Sequence, residues 1–335
     1  MENGEIKAES GDERKLKELA PDVVSKTKEP ILDVAIEMAL GMVPNLAETE
    51  AEGIGHGEEK PDQANEFIEK LHRIQPELNA FLEDVDAQFT KAEQSAIREA
   101  LRLMIKIHIE QPDRADTGIP FIGHPLAVAH DALRMAREHE DVFYICMAGL
   151  LHDSVEDQSK WLALEKRIAA VHQWYDKPRE EVEQEIERHG ALGAIERVFD
   201  RRVRLLVEAV TSPLTTEESL EGAVDKNAQY FDYVQSIFYN QDTSPSVVKW
   251  ADLKQNALTI GLVRERAQLA RVSGNVVTAQ QFEKFYTKLK AKYKPVLEAT
   301  LVFFENLTDG YHPLYSEKEH AVQDIQLVLE REYYA

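Results

Sequence analysis

An adjacent histidine and aspartate, His152 and Asp153, are followed by a second acidic pair, Glu156 and Asp157. Neighbouring side chains leave a helix about 100° apart and can converge on one cation, whereas residues at i and i+4 lie one above the other. This spacing predicts Glu156 over His152 and Asp157 over Asp153. Four ionisable groups then crowd the end of an apolar run, Val142–Leu151, which is costly unless a metal ion or a hydrogen-bond network compensates them. A solvated helix end explains an isolated His-Asp pair equally well. His124 and Asp252 can supply further nitrogen and oxygen ligands, with Asn256 one turn after Asp252. Two imidazoles with two carboxylates suit Mn, Fe or Zn better than Ca, which prefers an all-oxygen shell. Hydrolysis of a phosphoester needs such a cation, to polarise a phosphoryl oxygen and acidify a water, and a carboxylate to carry the proton away.

The elements that must position these residues read as helices. Residues 91–109 place Ile97, Leu101, Met104, Ile105 and His108 at three- and four-residue steps. A polar loop follows, and His124 then precedes Pro125, a residue suited to the first turn of a helix because its missing amide would be unpaired there. Residues 141–158 read as one helix, apolar at first and polar at its end. The stretch 159–194 is highly charged and helical in pattern. Further helices are expected over 202–210, closed by Thr211-Ser212-Pro213, over 225–241, and over 247–260. Two more, from about Thr278, are separated by Thr308-Asp309-Gly310. With only 15 glycines and 13 prolines in 335 residues, few tight turns are available, and an all-α architecture is favoured over a sandwich or barrel.

Composition narrows the partners. The chain has 39 basic and 61 acidic side chains, a formal charge of −22, which repels a phosphate backbone and disfavours DNA or RNA polymer. Residues 1–75 hold 18 acidic and 9 basic residues, with a linker-like Gly53-Ile54-Gly55-His56-Gly57 and a short amphipathic helix from Ile31 to Ala39. They read as an acidic, partly disordered extension, either a solubilising tail or a docking or lid segment. The single cysteine, Cys146, allows no intramolecular disulfide and reads as a small buried hydrophobe. The start of the chain lacks the pattern of a signal peptide, and the longest apolar run falls short of the ~20 residues that span a bilayer. A cytoplasmic protein with no membrane association is expected; an oligomer or a protein partner stays open.

Motifs around these residues give a resemblance. Gly123-His124-Pro125-Leu126-Ala127, Leu151-His152-Asp153-Ser154-Val155-Glu156-Asp157, Glu208-Ala209-Val210-Thr211 and Lys249-Trp250-Ala251-Asp252 occur in the order seen in the HD hydrolase domain of RelA/SpoT homologues. The stand-alone small alarmone hydrolases are the most similar type, over roughly residues 92–297. The resemblance implies an HD-domain helical bundle at 76–300, with 159–194 as an insertion, the acidic extension before it and extra helices at 301–335. It also implies one bound Mn2+, other divalent metals remaining open, and release of the 3′-diphosphate of guanosine tetra- or pentaphosphate (ppGpp or pppGpp) as pyrophosphate. By motif, His124, His152, Asp153 and Asp252 correspond to the metal ligands. Glu156 and Asp157 correspond to the pair that orients and deprotonates the attacking water, and Asn256, Thr259 and Arg114 to nucleotide contacts. His108 and Gln111 fit the family's His-x-x-Gln pattern, although a capping or core histidine is the simpler reading of His108. Lys249 reads equally as a snorkelling surface lysine or as a structural or phosphate-binding one. Gln255 and Leu258 stand where His and Arg are usual, which favours retained chemistry with altered base recognition. Two alternatives accompany this reading: an HD phosphohydrolase of another nucleotide, such as an adenosine alarmone or a dinucleotide phosphate, and a non-catalytic alarmone-binding or antitoxin-like regulatory module.

Overall fold

The computed structural model describes residues 61–115, 117–156, 179–212 and 226–334. They are helical with connecting turns, and no strand occurs among them. The chain divides into two compact units, Met1–Gln75 and Pro76–Ala335. In the first, the described part is the beginning of helix α1 (Pro61–Gln88). The short helix and glycine linker expected before it, residue Asp157, and 159–178 of the insertion lie outside the described residues.

In the second unit, Thr90 and Glu93 start α2 (Lys91–His108) with a reciprocal cap, each side chain accepting from the other's backbone amide. Pro125 lies in the first turn of α3 (Gly123–Met135). Helix α4 (Val142–Leu151) is buried from Ile145 to its end, Cys146 included. The charged insertion continues as helix α5 (Arg179–Val198). Asp200 caps α6 (Arg201–Val210) by accepting from the Val203 amide at 2.9 Å. Then come α7 (Lys226–Phe238), α8 (Ser244–Asn256), buried from Ser244 through Leu253, and α9 (Ile260–Val272). Gly274, with φ +79°, turns the chain into α10 (Val276–Asn306). A 3-10 turn (Tyr315–Glu317), α11 (Lys318–Leu329) and a π-helical turn (Glu330–Tyr334) complete the chain.

Helices α3, α4 and α8 pack on one another, with α2 and α6 against α4 and with α7 between α8 and α10. Trp250 of α8 meets Phe304 of α10 edge to face at 4.8 Å. The Arg202 guanidinium draws the starts of two helices together. It bonds Asp141 before α4, Asp242 before α8 at 2.8 Å, and Ser244 Oγ at 3.3 Å, while Ser244 donates to Asp141 at 2.9 Å.

Two sequence expectations change. The single helix expected over 141–158 is interrupted: α4 ends at Leu151, His152 and Asp153 form a turn, and residues 154–156 are helical again. At the turn the His152 ring bonds the Gly149 carbonyl at 2.9 Å, the acceptor that the Asp153 amide would use in a continued helix. The helix expected over 247–260 breaks after Asn256, where the Thr259 hydroxyl donates to Gln255 O at 2.7 Å, taking the carbonyl of its own i−4 residue. Helix α10 runs through residues 300 and 301, and Pro76–Ala335 form one compact unit.

Candidate metal centre

Four side chains converge from three helices. His124 comes from the first turn of α3, His152 and Asp153 from the turn beyond α4, and Asp252 from the end of α8. His124 Nε2 lies 3.4 Å from both Asp153 Oδ2 and Asp252 Oδ1. His152 Nε2 lies 3.1 Å from Asp153 Oδ1 and 3.9 Å from Asp252 Oδ1. The two imidazole rings stand edge to face with centroids 5.2 Å apart. Close packing makes this possible: at Gly149 of α4 an added Cβ would come 2.7 Å from the Cα of Ala129 on α3.

The donor set fits a divalent metal. A carbonyl only accepts, so the bond to Gly149 O puts the His152 proton on Nδ1 and leaves a lone pair on Nε2. That buried Nε2 makes no hydrogen bond among the described residues, although a carboxylate oxygen lies 3.1 Å away. Lone pairs that face one another across such a gap call for a cation between them. His124, His152 and Asp153 each offer an atom within 4.8 Å of the others', and Asp252 Oδ1 adds a fourth donor beside them.

The charges agree. Burial opposes ionisation of both aspartates, but His152 beside Asp153 and Lys249 beside Asp252 hold these carboxyls below the usual range. Burial likewise opposes protonation of His152, and the Asp153 charge outweighs it, pushing the imidazole up to about 9, so the carboxylates draw a positive charge to Nε2, which a metal ion would supply in place of a proton. His124 moves down instead, because for it burial dominates.

Lys249 is not a surface lysine. It is buried, and its Nζ lies 2.9 Å from Asp252 Oδ2, which leaves Asp252 Oδ1 for the imidazoles. The Asn256 amide donates to that same oxygen and accepts from Arg114 at 2.6 Å, so a chain of contacts links the loop before α3 to a proposed ligand. Glu156 is exposed. Its carboxyl accepts from the Ser212 amide at 3.2 Å, and desolvation, followed by the Asp153 charge, raises it. Thr259 spends its hydroxyl proton on backbone carbonyls. His108 is buried, with Nδ1 2.9 Å from Gln111 Oε1 and its ring against Phe121 at 5.1 Å; burial pushes it down to about 4. Gln255 turns to Asp131 at 3.0 Å.

The residues 121–242 match the HD domain family model. The match covers little more than a third of the chain, which over that stretch is similar to HD domains. The matched stretch carries His124, His152 and Asp153, and Asp252 lies ten residues past its end. Among curated proteins no match is found. The HD-domain match and the ligand cluster together indicate a metal-dependent phosphohydrolase. No helix among the described residues is long and apolar enough to cross a membrane.

Residues that sequence reasoning missed line the same region. Lys292 of α10 places its Nζ 4.0 Å from the ring centroid of Tyr230 on α7 and 5.1 Å from that of Tyr293. Lys249 Nζ lies 5.3 Å from the centroids of Tyr230 and Tyr233. The only local signal for Lys292 is its place in a run of alternating lysines, which reads as a solvated face.

Proposed function

We propose that this protein is a Mn-dependent 3′-pyrophosphohydrolase of an alarmone nucleotide, guanosine tetra- or pentaphosphate or a close relative. The observation that carries the proposal is the convergence of His124, His152, Asp153 and Asp252 with Glu156 alongside, in the motif order of the alarmone hydrolases. The four converging residues hold the ion. A divalent metal supplies there a Lewis acid that draws negative charge off a phosphoryl oxygen and lowers the pKa of water.

The chain's own residues do the rest. Glu156, whose carboxyl is raised by desolvation and the Asp153 charge, accepts a proton from the attacking water; Asp157, adjacent in sequence, orients that water. The water oxygen attacks the phosphorus bonded to the ribose 3′-oxygen, the O3′–P bond breaks, and the 3′-oxygen takes a proton from solvent. GDP or GTP and pyrophosphate leave. Arg114, held by Asn256 in a 2.6 Å bond, offers further donors to the substrate phosphates. Lys249, on Asp252 Oδ2, leaves Oδ1 as the oxygen that would meet the ion.

Nucleotide turnover tests the proposal. The purified full chain with Mn2+ is expected to release pyrophosphate from guanosine 3′-diphosphates in a panel that includes the adenosine counterparts. Asp153→Ala and Asp252→Ala are expected to abolish release. Failure to turn over any 3′-phosphorylated nucleotide defeats the reading, and orthophosphate as the product moves the enzyme to another phosphohydrolase reaction.

A further inference from the structure

Two ammonium groups share the Tyr230 ring, and their surroundings differ. Lys249 is neutralised by Asp252 at 2.9 Å. Lys292, 4.0 Å from the ring centroid, has neither a carboxylate within ion-pair distance nor a hydrogen bond among the described residues. Its neighbour two positions on, Lys294, faces elsewhere and pairs with Glu298. The rings of Tyr230 and Tyr293 give Lys292 their π-faces, which attract a cation without cancelling its charge. Burial and the field of Lys249 disfavour the charge on Lys292, while Asp252, Glu156 and Asp153 favour it. Lys249 Nζ lies 5.3 Å from the centroid of the same Tyr230 ring and 2.9 Å from Asp252, so Lys292 lies beside the metal centre.

A half-buried cation with no counterion is costly unless something supplies the missing charge. The local balance shows what is missing. Among the described residues, Asp153, Glu156 and Asp252 are matched by Arg114, Lys249 and Lys292, and the imidazoles that hold a metal are neutral. A bound divalent ion adds two positive charges and Asp157, adjacent to Glu156 in sequence, takes one away, so the region stays net positive, which suits a phosphate ligand.

We propose that Lys292, seated over Tyr230 and Tyr293, is a subsite for a second phosphoryl group of the substrate, distinct from the group that meets the metal. This assignment deepens the phosphohydrolase reading and rests on it for the identity of the natural ligand. The ligand class is a diphosphate, and Lys292 is a specificity-determining contact that favours diphosphate over monophosphate substituents. Tyr230 acts as a positioning residue, because it holds the ammonium through its ring face.

The test uses inorganic pyrophosphate and orthophosphate as probes, titrated into the full-length protein by calorimetry with and without Mn2+. Lys292→Met is expected to weaken pyrophosphate binding by about tenfold or more, the loss of one charge-assisted contact, and Lys292→Arg to keep it within about threefold. Orthophosphate affinity is expected to fall less, and Mn2+ affinity to stay unchanged. Pyrophosphate affinity in Lys292→Met equal to that of the wild type overturns the proposal, as does a loss that accompanies weakened Mn2+ binding. Should Lys292→Met fail to fold, mass-spectrometric labelling of the wild type with an amine-reactive reagent decides: slower labelling of Lys292 in pyrophosphate supports the subsite, and unchanged labelling overturns it. Nucleotide turnover separates the two readings. Lys292-dependent pyrophosphate binding without turnover keeps the subsite and defeats the hydrolase, and turnover with an indifferent Lys292 does the reverse.

Discussion

Lys249 Nζ lies 2.9 Å from Asp252 Oδ2, and both side chains are buried. The ammonium occupies one carboxylate oxygen and leaves the other toward His124 and His152. Removing one member of a buried pair strands the other, at roughly 3–5 kcal/mol. Lys249→Met is therefore expected to destabilise the metal-free protein by about that amount, and by less with saturating Mn2+, which replaces part of the lost positive charge. Chemical denaturation with and without Mn2+ reads the difference; an equal loss in both would show that Asp252 does not face the ion.

Gly149 cannot carry a side chain where it stands. An added Cβ would lie 2.7 Å from Ala129 Cα, a backbone atom that cannot turn aside. Gly149→Ala is expected to push α3 and α4 apart, to cost about 1–3 kcal/mol, and to weaken Mn2+ binding by separating His124 from His152. Gly193→Ala, on α5 with nothing within 4 Å of the new methyl, is the control. It is expected to leave Mn2+ affinity unchanged and to gain about 0.5–1 kcal/mol from helix propensity.

The two glycines also show how far a sequence can be read. The ligand motifs were legible because each is local: His124 next to Pro125, His152 next to Asp153, Asp252 one turn before Asn256. The helices came from periodicity, and their breaks did not, since side chains make them. His152 takes the Gly149 carbonyl and Thr259 takes that of Gln255, competition that no spacing reveals. Lys292 was hidden for another reason. Lys288, Lys290, Lys292 and Lys294 look alike in sequence, and only the packing of α10 on α7 turns one of them toward Tyr230.

A second ionic cluster, on α1 and α3, sets a pH dependence of stability. His130 Nε2 lies 3.0 Å from Asp84 and its Nδ1 3.6 Å from Glu77, with Arg134 also on Asp84 at 3.1 Å and Arg137 at 3.5 Å. Burial opposes protonation of His130, but the bonds to Glu77 and Asp84 outweigh it and raise the imidazole. The bond to His130 lowers both carboxyls. A histidine that holds its proton more tightly when folded gives its full stabilisation below its ordinary value of 6.5 and loses it as pH rises through the raised value. The carboxylates contribute above their ordinary 4.5 and 3.8 and lose their share as pH falls. The cluster is thus strongest between about pH 4.5 and 6.5. His130→Phe, which keeps an aromatic ring beside Phe81, is expected to cost about 1 kcal/mol at about pH 5.5, with half-exposed Glu77 discounted for screening, and less at about pH 8.5. Urea unfolding at the two pH values checks this, and a pH-independent gap would assign the cost to packing alone.

The Arg202 clamp has a consequence for how such an enzyme can vary. It ties the starts of α4 and α8 through Asp141, Asp242 and Ser244, while the proposed ligands lie at the opposite ends of the same two helices. The distance between His152-Asp153 and Asp252 therefore depends in part on a side-chain truss whose centre, Arg202, belongs to the stretch of chain that joins the two helices. The connections on either side of α6 can change in length or composition over generations as long as Arg202, Asp242 and the packing of α6 on α4 are kept. A lineage with this truss can refashion the substrate-facing surroundings of the site while its chemistry stays in place.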